Sequence, residues 1–155
     1  MSDPRAVLAD YIEAVAHVGF IVADLAEAVA QAQKVYGLKV EDIRCFPEPG
    51  EDVETRFAFF SVGGLEFELI EPCSRQFREQ LLPMPSGGGG INHLAWRVSD
   101  IDAALACLAE HGIKPGHVTP HGVVNIGPKK MVYLDPDTTD GLVIELIEYP
   151  AQETA

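Results

Sequence analysis

Glu68-Leu69-Ile70-Glu71, followed by Pro72, returns near the other end of the chain as Glu145-Leu146-Ile147-Glu148, followed by Tyr149 and Pro150. The repetition extends outward from these two tetrads. Glu68 leads to Glu145 (145 − 68 = 77), His17 to His93 (93 − 17 = 76), Asp24 to Asp100 (100 − 24 = 76) and Gly37 to Gly112 (112 − 37 = 75). One half of the chain is written twice, and two copies this long imply a pseudosymmetric domain rather than a solenoid of short repeats. Each copy keeps one His near its start and one Glu near its end. Taken singly, a strand Glu is ordinarily solvated and a lone His is ordinarily a core or surface residue. Recurrence of both at matching positions favours a shared role. His17, Glu68, His93 and Glu145 are metal-ligand types, and two imidazoles with two carboxylates suit a divalent ion such as cobalt, manganese, nickel or zinc.

Residue patterning around the tetrads reads as βαβββ in each half. Ser2-Asp3-Pro4 signals a short leading helix over residues 2–14, and Val15 to Val22 alternates as a strand carrying His17. Asp24 caps a helical run with Leu25, Ala28, Val29, Ala32 and Tyr36 on one face, and Gly37 stops it. Leu38 to Phe46 reads as a second strand, Pro47 to Asp52 as an acidic loop, and Val53 to Val62 with Leu65 to Glu71 as a hairpin about Gly63-Gly64. On the last of these strands Glu66, Glu68 and Ile70 share one face, opposite Leu65, Phe67 and Leu69. That parity puts Glu71 and Glu148 on the opposite face from Glu68 and Glu145, where they read as solvated strand ends.

Ser74 to Leu82 reads as a connecting helix, and Pro83 to Ser86 with Gly87 to Gly90 as a joint between halves. A strand follows the glycines, so they lack the spacing and the following helix of a phosphate-binding loop. In the second half Ile91 to Val98 reads as strand, Asp100 as the cap of a helix with Ile101, Ala104, Leu105, Leu108 and Ala109 on one face and Gly112 as its stop, and Ile113 to Val118, Lys130 to Leu134 and Leu142 to Glu148 as strands. Pro120 to Pro128 reads as irregular and is expected to border the pocket. His111, His117 and His121 have no counterparts in the first half, and His121 reads as a surface residue. The expected organisation is a single domain over 1–155, with one module at about 14–72, a linker at 73–90 and a second module at about 91–150.

The chain has 155 residues, enough to bury a substantial core. Lys and Arg number 11 against 24 Asp and Glu, a net charge of −13. An overall field of that sign repels nucleic acid and anionic membrane, so any anionic ligand needs a local cluster such as Arg56, Arg97, Lys129 and Lys130. Cys45, Cys73 and Cys107 are widely spaced without a CxxC pattern and read as reduced thiols. The first 20 residues hold one Arg and no long apolar run, so neither a signal peptide nor a membrane span is expected, and a cytoplasmic location is.

From about Ala14 to Pro150 the chain resembles the vicinal oxygen chelate superfamily, the glyoxalase/bleomycin-resistance fold, and within it the methylmalonyl-CoA epimerase family. The likeness rests on His17-Val18-Gly19-Phe20-Ile21-Val22, Phe67-Glu68-Leu69-Ile70-Glu71-Pro72, Gly90-Ile91-Asn92-His93-Leu94-Ala95-Trp96-Arg97-Val98 with Asp100-Ile101-Asp102-Ala103-Ala104, and Gly141-Leu142-Val143-Ile144-Glu145-Leu146. It implies an α+β fold of two βαβββ modules forming a U-shaped, barrel-like metal cleft. It places the ligands at His17, Glu68, His93 and Glu145, the four residues that the duplication singles out. It also implies proton abstraction next to an acyl-CoA thioester through an enolate, with Glu54 as base, or else Glu48 or Glu51, and a homodimer. Lys129 and Lys130 are expected to hold a CoA phosphate. Asn92 stands where the epimerases commonly have a second His, and Leu134-Asp135-Pro136-Asp137 replaces their His-Pro-Lys. The alternatives are a glyoxalase I-like lyase on a thiol adduct, a non-catalytic binding protein of the same fold, and a dioxygenase. The last needs two His, one carboxylate and open positions, which a fourth ligand at Glu68 would crowd.

Overall fold

The computed structural model describes residues 6–47, 52–83 and 91–151. The sequence readings at Ser2-Asp3-Pro4, at Glu48 and Glu51, and at Gly87 to Gly90 lie outside them. The chain divides into two compact units, His17–Asn92 and a discontinuous one made of Met1–Ala16 with His93–Ala155.

The first βαβββ module runs β1 (Ile12–Ile21), α1 (Leu25–Tyr36), β2 (Arg44–Phe46), β3 (Thr55–Val62) and β4 (Leu65–Pro72), with a further helix α2 (Arg75–Leu81) after it. The boundary between the units falls within β1. Its strands lie in the order β2-β3-β4-β1, with β4 antiparallel to β3 and parallel to β1. Asp24 starts α1 by accepting the Glu27 amide at 3.0 Å, and Gly37 ends it in the left-handed region at φ 70°, donating to the Gln33 carbonyl. The buried face of the helix, through Leu25 and Ala32, packs on Ala58, Phe60 and Leu69, with the Phe60 and Phe67 rings stacked 5.2 Å apart. Glu68 therefore faces away from this core, as its parity requires.

The second module repeats the order with β5 (His93–Val98), α3 (Ile101–Ala109), β6 (Val124–Ile126), β7 (Lys129–Tyr133) and β8 (Ile144–Glu148), the strands lying β6-β7-β8-β5. Asp100 caps α3 on the Ala103 amide at 2.9 Å. Ile101, Ala104 and Leu108 close over Val98, Val132, Leu134 and Leu146. Among the described residues no helix is long and apolar enough to cross a membrane.

Four local expectations are corrected. Among the described residues the leading helix is a single 3-10 turn, Leu8–Asp10, because the Asp10 carboxylate accepts the Val7 amide at 2.9 Å and the chain enters β1 at Ile12. Leu38 to Phe46 is strand only at its end. The Asp42 carboxylate accepts the Lys39 amide at 2.7 Å and pulls Val40–Asp42 into another 3-10 turn. In the second module the strand expected at Ile113 to Val118 reduces to one bridge, Pro115 to Leu134, since Pro has no amide to donate to a ladder. The pairing strand is β6, inside the stretch that reads as irregular.

The fourth correction concerns the second carboxylate of each tetrad. Glu71 Oε2 accepts the Leu25 amide at 2.7 Å, and Glu148 Oε2 accepts the Ile101 amide at 2.8 Å. These are not solvated strand ends. Each lies against the first turn of its module's helix, where unpaired amides and the helix dipole favour a negative charge.

Candidate metal centre

The strand register explains how each module brings its His and its first Glu together. In the first, Glu68 on β4 lies opposite Gly19 on β1, and His17 is two residues before Gly19, hence on the same face. In the second, Glu145 on β8 lies opposite Ala95 on β5, and His93 is two residues before Ala95. A small residue opposite each carboxylate leaves it room to lean along the neighbouring strand toward the imidazole. His17 Nε2 lies 2.9 Å from Glu68 Oε2, and His93 Nε2 lies 3.2 Å from Glu145 Oε2.

All four residues are buried, with exposures of 5% for His17, 6% for Glu68, 1% for His93 and 4% for Glu145. A carboxylate so far from water is costly unless a cation or hydrogen-bond donors face it. In each module a nitrogen and an oxygen donor point at one another across that buried contact. The donor set in each module thus mixes nitrogen and oxygen, as suits a divalent ion.

Around His93 the second module adds groups that the sequence pattern does not single out. The Tyr133 hydroxyl lies 3.4 Å from His93 Nε2, and the two rings meet edge to face with centroids 5.2 Å apart. His117 packs on the same tyrosine at 5.2 Å, from a backbone in the left-handed region at φ 56°. Burial, and then the charge of His93, push the pKa of His117 below its ordinary value. The Thr119 hydroxyl accepts the Tyr133 amide at 2.8 Å and lies within hydrogen-bonding distance of the Gly116 and Tyr133 carbonyl oxygens. A single-sequence signal for this group was present only as a Tyr on a predicted strand; its placement depends on a register that periodicity does not reveal. His121 is exposed, as expected.

The remaining candidates lie as follows. Glu54 is exposed, in a bend just before β3, and its carbonyl accepts the amides of Cys73 at 2.8 Å and Ser74 at 3.1 Å. Lys129 sets its ammonium 4.8 Å from the centre of the Tyr149 ring, as does the Arg97 guanidinium. Lys130 Nζ is 3.5 Å from Asp102 Oδ2, an exposed ion pair.

Comparison with known proteins places this geometry in context. The model of the Glyoxalase/Bleomycin resistance protein/Dioxygenase superfamily matches residues 16–133. The chain is 30% identical over 132 residues to the ethylmalonyl-CoA/methylmalonyl-CoA epimerase of Cereibacter sphaeroides, covering 84% of this chain and 93% of that one. It is 26% identical over 130 residues to the human mitochondrial methylmalonyl-CoA epimerase, covering 84% and 70%. A solved methylmalonyl-CoA epimerase in complex with methylmalonyl-CoA and NH4+ superposes with a TM-score of 0.70 at 22% identity, covering 93% of this chain and 99% of that one.

Proposed function

This chain belongs to the glyoxalase/bleomycin resistance protein/dioxygenase superfamily, and on that premise we propose that it is a metal-dependent epimerase acting on methylmalonyl-CoA or a related acyl-CoA thioester. The observation that carries this reading is the buried His–Glu pair repeated at equivalent register in the two modules. His17, Glu68, His93 and Glu145 together hold one divalent ion, cobalt, manganese, nickel or zinc according to supply. The names of the relatives support the acyl-CoA substrate.

A divalent ion in such a site supplies Lewis-acid stabilisation of the negative charge that develops on the thioester oxygen as the α-proton leaves. The protein supplies the rest. Glu54 takes the α-proton, and a proton from solvent delivered to the opposite face inverts the centre. The two amides held by its carbonyl tie its backbone to the start of α2, which gives an exposed base a fixed point of attachment. Glu48 and Glu51 are the alternatives for this role. Lys129 and Lys130 offer positive charge to a CoA phosphate. Their present partners, an aromatic face and an exposed carboxylate, are of the kind that costs little to exchange.

The test couples metal analysis of the purified protein with proton exchange at the substrate's α-carbon. Methylmalonyl-CoA incubated with metal-loaded protein in D2O is expected to gain deuterium at that carbon and to racemise. Stoichiometric metal with neither exchange nor racemisation of methylmalonyl-, ethylmalonyl- or other branched acyl-CoA thioesters would overturn the assignment.

A further inference from the structure

The half-site of the second module carries a hydroxyl group that the first lacks at the equivalent position. Across the β3–β4 ladder the residue opposite Glu68 is Phe59, and across the β7–β8 ladder the residue opposite Glu145 is Tyr133. The two positions are equivalent in the repeated fold, so both side chains stand on the face that carries the metal-ligand pair. Phe59 brings only an aromatic face there. Tyr133 is 7% exposed and brings a hydrogen-bond donor to 3.4 Å from the same Nε2 that faces Glu145.

We propose that the Tyr133 hydroxyl is a substrate-contacting hydrogen-bond donor, directed at an anionic oxygen of the ligand that enters the His93–Glu145 half-site. This inference rests on the metal-site reading above. Once His93 acts as a ligand through Nε2, that nitrogen has no lone pair to offer the hydroxyl, and the O–H is left to the carboxylate and ligand oxygens gathered at the same half-site.

The surroundings fix where the hydroxyl points. Thr119 locks the backbone of Tyr133 through the 2.8 Å bond to its amide. The imidazoles of His93 and His117 contact its ring edge to face, with interplanar angles of 80° and 65°. His117 occupies a left-handed backbone conformation that is unfavourable for a non-glycine residue and that the neighbouring structure must offset. A ring held by two imidazoles, with its hydroxyl beside a ligand nitrogen, gives the asymmetry that an unsymmetrical substrate needs. An anionic oxygen is favoured in the second module's half-site and receives no matching donor from Phe59 in the first.

The experiment uses Y133F, which keeps the ring and its packing and removes only the hydroxyl. Native protein and Y133F are loaded with Co(II), the affinity of each for the metal is measured by calorimetry, and oxalate, a small ligand with vicinal carboxylate oxygens, is titrated while the visible spectrum of the metal is followed. The expected result is an unchanged Co(II) affinity with an oxalate affinity lower by about 10- to 100-fold, the loss of a hydrogen bond to a charged acceptor. Equal oxalate affinity in the two loaded proteins overturns the proposal. So does a fall confined to Co(II) affinity, which makes Tyr133 a support for His93 alone. If native protein takes up no Co(II), the metal reading itself fails and this inference falls with it, an outcome distinct from the other two because it appears before Y133F is compared.

Discussion

Replacing Glu71 by Ala removes the carboxylate oxygen that accepts the Leu25 amide at 2.7 Å, at the first turn of α1. A hydrogen bond to a charged group contributes about 1.5–3 kcal/mol, and a negative charge at a helix N-terminus about 0.3–1 kcal/mol. The site is part-buried and Asp24 still caps Glu27, so the lower part of the combined range applies, about 2 kcal/mol. For a chain of this size that corresponds to a fall in Tm of about 4–8 °C. Glu71→Gln keeps an acceptor oxygen and loses the charge, and is expected to cost about half as much. Urea denaturation at 25 °C followed by circular dichroism measures both, with metal content determined in parallel. The metal should stay, because Glu71 faces α1 whereas Glu68 faces His17. Glu148→Ala, which removes the acceptor for the Ile101 amide at the start of α3, is expected to behave alike. A change within about 0.5 kcal/mol for both Ala variants is what a solvated surface residue gives, and it would refute the anchoring role.

Three further outcomes are expected. His17→Ala or His93→Ala should remove most bound metal, and a chelator should lower the Tm of native protein, since an ion present at about 100 times its dissociation constant stabilises by about 2.7 kcal/mol; identical melting with and without chelator would contradict a resident ion. Glu54→Gln should keep metal and fold while slowing α-proton exchange by about a hundredfold or more, and undiminished exchange would move the base to Glu48 or Glu51. Light scattering at micromolar concentration should give a homodimer, in which edge strands of the sheet find cover; a monomer mass would count against that assembly.

The duplication, both helix caps and the four metal-ligand candidates were legible without coordinates. Each depends on local chemistry or on matching positions along the chain. An Asp before an apolar helical stripe with a closing Gly specifies a helix by capping and backbone conformation alone, as at Asp24 and Gly37. Matching His and Glu positions drew attention to these residues because unrelated surface residues have no reason to recur, and each module does bring its His and Glu together. Strand parity likewise put Glu68 opposite Phe67 and Leu69, and the burial of Leu69 under α1 agrees with it.

What the tertiary structure decided depends on which strand lies beside which. The parity that separates Glu71 from Glu68 says nothing about what covers that other face, and the helix that covers it makes Glu71 and Glu148 anchors instead of solvated ends. β6 lies at Val124–Ile126 because β7 accepts it there, whereas Ile113 to Val118 meets Pro115 and the turn held by Thr119. Tyr133 read as one strand residue among five until the β7–β8 register set it across from Glu145. Local propensity and repetition are properties of a segment, but register and burial come from the partner strand, often tens of residues away, and only the folded chain brings the two together.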